Sequence, residues 1–154
     1  MPSALQAELK QTRPFPNRAS EAFVSILRTA AVLEHPLGEA LRAFGLTPTQ
    51  YNVLRILRGA GAEGLCGREI AERMIARVPD VPRVLDRLKA MHLIDRQRSE
   101  ADRRYVTVTV TPRGLGLLDA VRPAIDAVEK ARLGRLSERT LVTLIEALAA
   151  VRGS

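Results

Sequence analysis

Between residues 78 and 113 the apolar repeat of this chain changes from helical to alternating and back to helical, and few folds accommodate that order. Val81, Val84, Leu85, Leu88 and Met91 make the inward stripe of a helix that opens at Val78-Pro79-Asp80. Proline and an acid suit a first turn, where N–H groups are free and the helix dipole favours negative charge. The helix stops at His92, where glycine is the easy choice, and His enters the left-handed region more readily than most residues. Ile94-Asp95-Arg96-Gln97-Arg98 then alternates, as does Tyr105-Val106-Thr107-Val108-Thr109-Val110. The polar connection Ser99-Glu100-Ala101-Asp102-Arg103-Arg104 predicts a β-hairpin with an exposed tip. Thr111-Pro112 starts the next helix as N-cap plus proline.

Upstream, Thr47-Pro48-Thr49-Gln50 reads as N-cap, proline at the first helical position and a capping-box Gln. Tyr51, Leu54 and Leu57 follow on one face, and Gly59-Ala60-Gly61 stops the helix. A glycine-containing loop runs to Cys66-Gly67, and a short helix carries Ile70, Ala71, Met74 and Ile75. From Ala19 to Phe44 the spacing of Phe23, Ile26, Leu27, Ala30, Leu33, Leu37, Leu41 and Phe44 predicts an amphipathic helix. Pro36 is expected to kink it or break it near His35, and Gly45 ends it. At the other end, Leu115, Leu118, Val121, Ile125 and Val128 line a helix that Pro123 is expected to kink. Ser137 caps a last helix carrying Leu141, Leu144, Ile145, Leu148 and Val151.

The order short helix, tight turn, helix, basic hairpin is that of a winged helix-turn-helix. The expected fold is therefore mainly α with a small β-hairpin wing. Residues 1–18, polar and carrying Pro2, Pro14 and Pro16, are expected to form a flexible arm; residues 46–111 form the winged DNA-binding region. Residues 19–45 and 112–152 supply helices whose apolar stripes have no evident use within one chain, so they are expected to pair two chains into a single intertwined domain.

Charge narrows the function. The 154 residues carry a formal net charge of +7, and 21 of the 24 basic residues are Arg. This points to a polyanion, and Arg can bind phosphate and guanine edges bidentately. Residues 68–113 hold eleven Arg or Lys against seven Asp or Glu. They concentrate where a winged helix meets DNA: Arg83, Arg87 and Lys89 on the second helix, and Arg96, Arg98, Arg103 and Arg104 on the hairpin. A single cysteine, Cys66, excludes an intrachain disulfide. No apolar run follows Met1-Pro2-Ser3-Ala4 or recurs later, so a cytoplasmic protein without membrane contact is expected.

The chain also resembles the multiple-antibiotic-resistance regulator (MarR) family. The resemblance rests on Gly45-Leu46-Thr47-Pro48-Thr49-Gln50-Tyr51-Asn52-Val53-Leu54, Arg68-Glu69-Ile70-Ala71-Glu72-Arg73-Met74, Val84-Leu85-Asp86-Arg87-Leu88, Asp102-Arg103-Arg104 and Thr111-Pro112-Arg113-Gly114. It spans roughly residues 20–152 in the family's order. It implies a homodimer that binds double-stranded DNA at a pseudo-palindromic operator, by default as a ligand- or stress-responsive repressor. It places the start of the recognition helix at Pro79, with Asp80, Val81, Pro82 and Arg83 in its reading turns and Arg87 beyond. The wing pattern of Asp, any residue, Arg falls on Asp102 and Arg104, beside Arg98 and Arg103; the Asp is expected to orient the Arg guanidinium, which enters the minor groove. The family more often has Ser or Thr where Pro79, Asp80 and Pro82 stand, so specificity here leans on Arg83, Arg87 and the wing. A pocket for a small aromatic or anionic effector would draw on His35, Arg42, Tyr51 and Arg55.

Other chemistries find little support. Cys66 does not match the sensing position of oxidant-responsive relatives and reads as a small buried residue. His35 and His92, with Cys66 or Glu34, lack ligand spacing, so no metal or other cofactor is expected. No nucleophile–base pair suggests an enzyme. The rival reading is a winged-helix sensor or scaffold that binds a protein or small ligand without specific DNA binding.

Overall fold

The computed structural model describes residues 3–154; Met1 and Pro2 of the expected arm lie outside the described residues. The chain divides at Pro36 into two compact units. The N-terminal unit contains helix α1 (Ala4–Glu8) and most of α2 (Arg18–Arg42). Within the expected flexible arm, Ser3 and Gln6 form a reciprocal capping box that starts α1, and Gln6 Nε2 donates to the Arg13 carbonyl at 3.2 Å. Arg28 Nε donates to Glu8 Oε1 at 2.7 Å. Phe23 and Leu27 of α2 are exposed. Pro36 lies inside α2 and does not end it, so the expected break near His35 is absent.

The second unit holds α3 (Pro48–Ala60), α4 (Gly67–Arg73), α5 (Val81–Ala90), β1 (Ile94–Arg98), β2 (Val106–Val110), α6 (Pro112–Leu133) and α7 (Glu138–Arg152). Its core is aliphatic, with Leu41, Val53, Leu54, Leu57, Ile70, Leu88 and Val121 fully buried. The helix starts follow the local signals. Thr47 Oγ1 accepts from the Gln50 N–H while Gln50 returns a bond to the Thr47 N–H, and Thr111 and Ser137 cap α6 and α7. Pro123 does not interrupt α6. Helix α4 is shorter than its apolar spacing suggests: it ends at Arg73, and Ile75 stands in the following turn, 85% exposed. On α7 no residue is buried, and Val142, Leu144, Ile145 and Val151 face outward.

The hairpin forms in the register Ile94↔Val110 to Arg98↔Val106. A third segment, read from sequence as loop, joins it. The Leu65 N–H donates to the Val108 carbonyl at 3.0 Å and receives the Val108 N–H in return at 2.8 Å. Gly64 makes this possible, since its φ is +65° and a Cβ there would collide with the Val108 carbonyl.

Helices α2 and α5 end alike. The N–H of Gly45 bonds to Arg42 O and that of Leu46 to Leu41 O; the N–H of His92 bonds to Lys89 O and that of Leu93 to Leu88 O. The pivot residues Gly45 (φ +71°) and His92 (φ +59°) both adopt the left-handed conformation, as expected for His92. His92 is exposed, so little opposes its replacement. His92→Gly should remove left-handed strain and raise unfolding stability by about 0.5–1 kcal/mol, measured by urea titration; a loss of stability would show that the imidazole makes a compensating contact.

Candidate nucleic-acid interface

Helices α4 and α5 are joined by the turn Met74–Asp80. Asn52 of α3 holds that turn, its Oδ1 accepting the Ile75 N–H at 2.9 Å. Asp80 Oδ1 accepts the Arg83 N–H at 3.0 Å, which makes Asp80 the N-cap and Val81 the first helical residue. The recognition helix therefore begins two residues later than Pro79. The carboxylate cap requires non-helical dihedrals at Asp80, and Pro79 remains in the turn. Val81, placed in the reading turns by the resemblance, is a second correction: it is only 8% exposed and belongs to the core, as its place on the inward stripe implies. Pro79, Asp80, Pro82, Arg83 and Arg87 are exposed. Arg83 and Arg87 are one turn apart, on one face of α5.

On the hairpin, Arg98, Arg103 and Arg104 are exposed, and like Arg83 and Arg87 they have no acidic partner among the described residues. The tip is a turn rather than extended strand, so Asp102 acts differently from expectation. Its Oδ1 accepts the backbone N–H of Arg104 at 3.0 Å, not the guanidinium. The Asp102 carbonyl accepts the Tyr105 N–H at 2.9 Å, and Ser99 Oγ accepts the Asp102 N–H at 3.3 Å. Asp102 thus shapes the backbone that presents Arg104. Two other basic residues expected to be available are paired with acids: Arg96 with Asp86 at 2.7 Å and Lys89 with Asp95 at 3.9 Å.

Cys66 is half-buried at the N-cap of α4, and its N–H donates to Glu69 Oε2 at 2.8 Å. That bond leads the effects holding the Glu69 carboxyl below its ordinary pKa, while the negative charge of Glu69 is the first cause pushing the nearby Tyr105 phenol up. Tyr105 stands where the tip of the wing rejoins β2, its carbonyl accepting the Ser99 N–H at 2.9 Å.

The residues expected to hold an effector are only partly united. Arg55 Cζ lies 5.8 Å from the centroid of the buried Tyr51 ring. Arg42 pairs with Glu39 at 2.8 Å, and His35 is exposed in the N-terminal unit. A cleft of about 390 Å³ lies elsewhere, lined by Arg68, Ala71, Glu72, Met74, Arg77 and Val78 between α4 and α5. Apolar periodicity gave no sign of it, because Met74, Arg77 and Val78 fall in or beside the turn.

Two short helices joined by the turn Met74–Asp80, followed by a basic hairpin, define a winged helix-turn-helix of the DNA-binding class. Residues 44–104 match the sequence profile of the MarR family. A MarR transcription factor from Planctomyces limnophilus is 32% identical, with 88% of this chain and 98% of that one covered and a TM-score of 0.69. The HTH-type transcriptional repressor MdtR of Bacillus subtilis (strain 168) is 32% identical over 104 residues, 68% of this chain and 66% of that protein. The fold is also that of MepR from S. aureus, whose structure was solved as a DNA complex (TM-score 0.76, 23% identity, 85% and 96% covered). The chain belongs to the MarR family of DNA-binding transcriptional regulators.

The tip geometry separates two roles for Asp102. Asp102→Asn keeps an acceptor for the Arg104 N–H, whereas Asp102→Ala removes it. Alanine should weaken binding to a selected operator several-fold, on the order of one hydrogen bond, while asparagine should hold or tighten it. Equal tightening by both, measured by fluorescence anisotropy, would leave Asp102 with a purely electrostatic effect.

Proposed function

We propose that this regulator is a homodimer that binds an inverted-repeat operator and represses transcription from the cytoplasm, releasing DNA in response to a small effector. The supporting observation is the placement of unpaired guanidinium groups at the two places where a winged helix meets duplex DNA. Arg83 and Arg87 occupy the exposed face of α5, and Arg98, Arg103 and Arg104 occupy the wing. In this reading residues 46–111 are the DNA-binding region, with α5 in the major groove and the wing over the flanking minor groove.

The dimer reading rests on apolar surface. Helix α7 has no fully buried residue in the single chain, and Phe23 and Leu27 of α2 are 65% and 56% exposed. A second copy covering these residues removes them from water, giving residues 19–45 and 112–152 their role as dimerisation helices. For the effector, the Tyr51 ring already stacked against Arg55 suits an aromatic anion, which the guanidinium would bind.

Selection of bound duplexes with the purified protein tests the whole reading. The expected motif has two-fold symmetry, with half-sites about 10 base pairs apart; no sequence preference at any salt concentration would favour the scaffold reading. Arg83→Ala should relax the choice at one base pair per half-site, a loss of about 1–3 kcal/mol, whereas uniform weakening would restrict Arg83 to phosphate. Arg104→Ala should leave stability unchanged and flatten the log–log salt dependence by roughly two for a dimer. Leu144→Glu with Leu148→Glu should give monomers or aggregates by sedimentation, and a folded wild-type monomer at micromolar concentration would remove the dimer.

A further inference from the structure

We propose that Arg96 is a positioning residue that locks the wing to the recognition helix, so that both address DNA as one rigid body. Its place in the sheet is fixed: it pairs with Val108, which is bonded on its other edge to Leu65. Its side chain is only 28% exposed. From β1 the guanidinium reaches two successive turns of α5: Nη1 donates to Asp86 Oδ1 at 2.7 Å, and Nη2 donates to the Pro82 carbonyl at 3.4 Å. A planar fork can bridge a carboxylate and a carbonyl four residues apart along a helix, which a lysine ammonium would do poorly.

The contact has an electrostatic consequence as well. Asp86 stands next to Arg87 and three residues beyond Arg83. Unpaired, its carboxylate would oppose the phosphates that these arginines approach. Arg96 neutralises it from the protein side, leaving Arg83 and Arg87 as the net charge of that face.

This inference rests on the proposed operator binding for its functional consequence, but the lock itself is a property of the free protein. Specific binding needs the helix and the wing placed together, whereas non-specific binding needs only charge. Loss of the lock should therefore lower the preference for operator more than it lowers general affinity.

The test uses the full chain and the variants Arg96→Ala, Arg96→Lys, Asp86→Ala and the Asp86→Ala/Arg96→Ala double variant. Hydrogen exchange of the free protein should quicken in Arg96→Ala within the first turns of α5 and in β1, while α3 and α6 keep their protection. The ratio of operator to random-duplex affinity should fall about tenfold, the scale of one charge-assisted bond, with the salt slope unchanged. Lysine should not restore the ratio, and the double variant should bind no worse than Asp86→Ala alone, since the two residues act as one unit. Three results would overturn the proposal: unchanged exchange, a general rise in exchange across the core, or a salt slope flattened by about two for a dimer at constant ratio. The last would make Arg96 a phosphate contact. If the wild type prefers no sequence, the operator reading fails, yet the exchange measurement still decides whether the lock exists.

Discussion

Two hydrogen bonds between Leu65 and Val108 set the distances across the winged helix-turn-helix. Val108 thereby spends both backbone groups on Leu65, while on its other side it stands opposite Arg96 of β1 in the hairpin register. Both Leu65 and Val108 are buried, so the sheet cannot slip without exposing apolar surface. Leu65 also leads directly into Cys66, the cap of α4. Helix α4, the hairpin and, through Arg96, helix α5 are all positioned from this short three-stranded ladder. Its cost falls on Gly64, which adopts a conformation that a side chain could not enter without striking β2.

The positive charge of the chain is unevenly cancelled. Arg58 pairs with Asp119, Arg68 with Glu72, and Arg122 with Asp126 and Glu129. These pairs are largely exposed and contribute little stability. Their effect is to neutralise charge on α3, α4 and α6. Arg83, Arg87, Arg98, Arg103 and Arg104, on the surface that a duplex would meet, have no acid among the described residues, and neither do Arg55, Arg113, Arg135 and Arg139 elsewhere.

Much of this was legible in the sequence, because helix caps are local. Thr47 with Gln50, Thr111 and Ser137 each satisfy N–H groups three residues away, and the alternation of Val106, Val108 and Val110 is local too. Several of the failures involve a partner distant in sequence or a choice between adjacent cap residues, whereas the Asp102–Arg104 turn and the Ser3–Gln6 cap of α1 are local. Leu65 pairs as a single residue and leaves no periodic trace. Asp80 rather than Pro79 sets the helix start because its carboxylate can accept the Arg83 N–H. Val81 is inward by its apolar spacing and buried in the structure, and only the family resemblance places it among the reading residues. Arg96 looked like its neighbours Arg98, Arg103 and Arg104 until Asp86 was found beside it.

The corrected start also narrows how α5 can read DNA. Ten residues give a helix of about 15 Å, of which only the first turns would enter a groove in the proposed reading. Val81 is buried there, Pro82 offers no donor, and one carboxylate oxygen of Asp80 is occupied by the Arg83 N–H. In the proposed reading, direct readout would therefore fall on Arg83, with Arg87 a turn behind, and long cationic side chains favour guanine and phosphate. Two such groups per chain leave most positions of an operator uncontacted by side chains. The remaining discrimination would have to come from the wing, through groove width and the negative potential that a narrow minor groove concentrates. A regulator of this kind needs its wing held at a fixed angle to its recognition helix, because shape is read only by groups whose spacing does not vary. The guanidinium of Arg96, spanning Pro82 and Asp86 from the first strand of the wing, is the contact in this chain that meets that requirement.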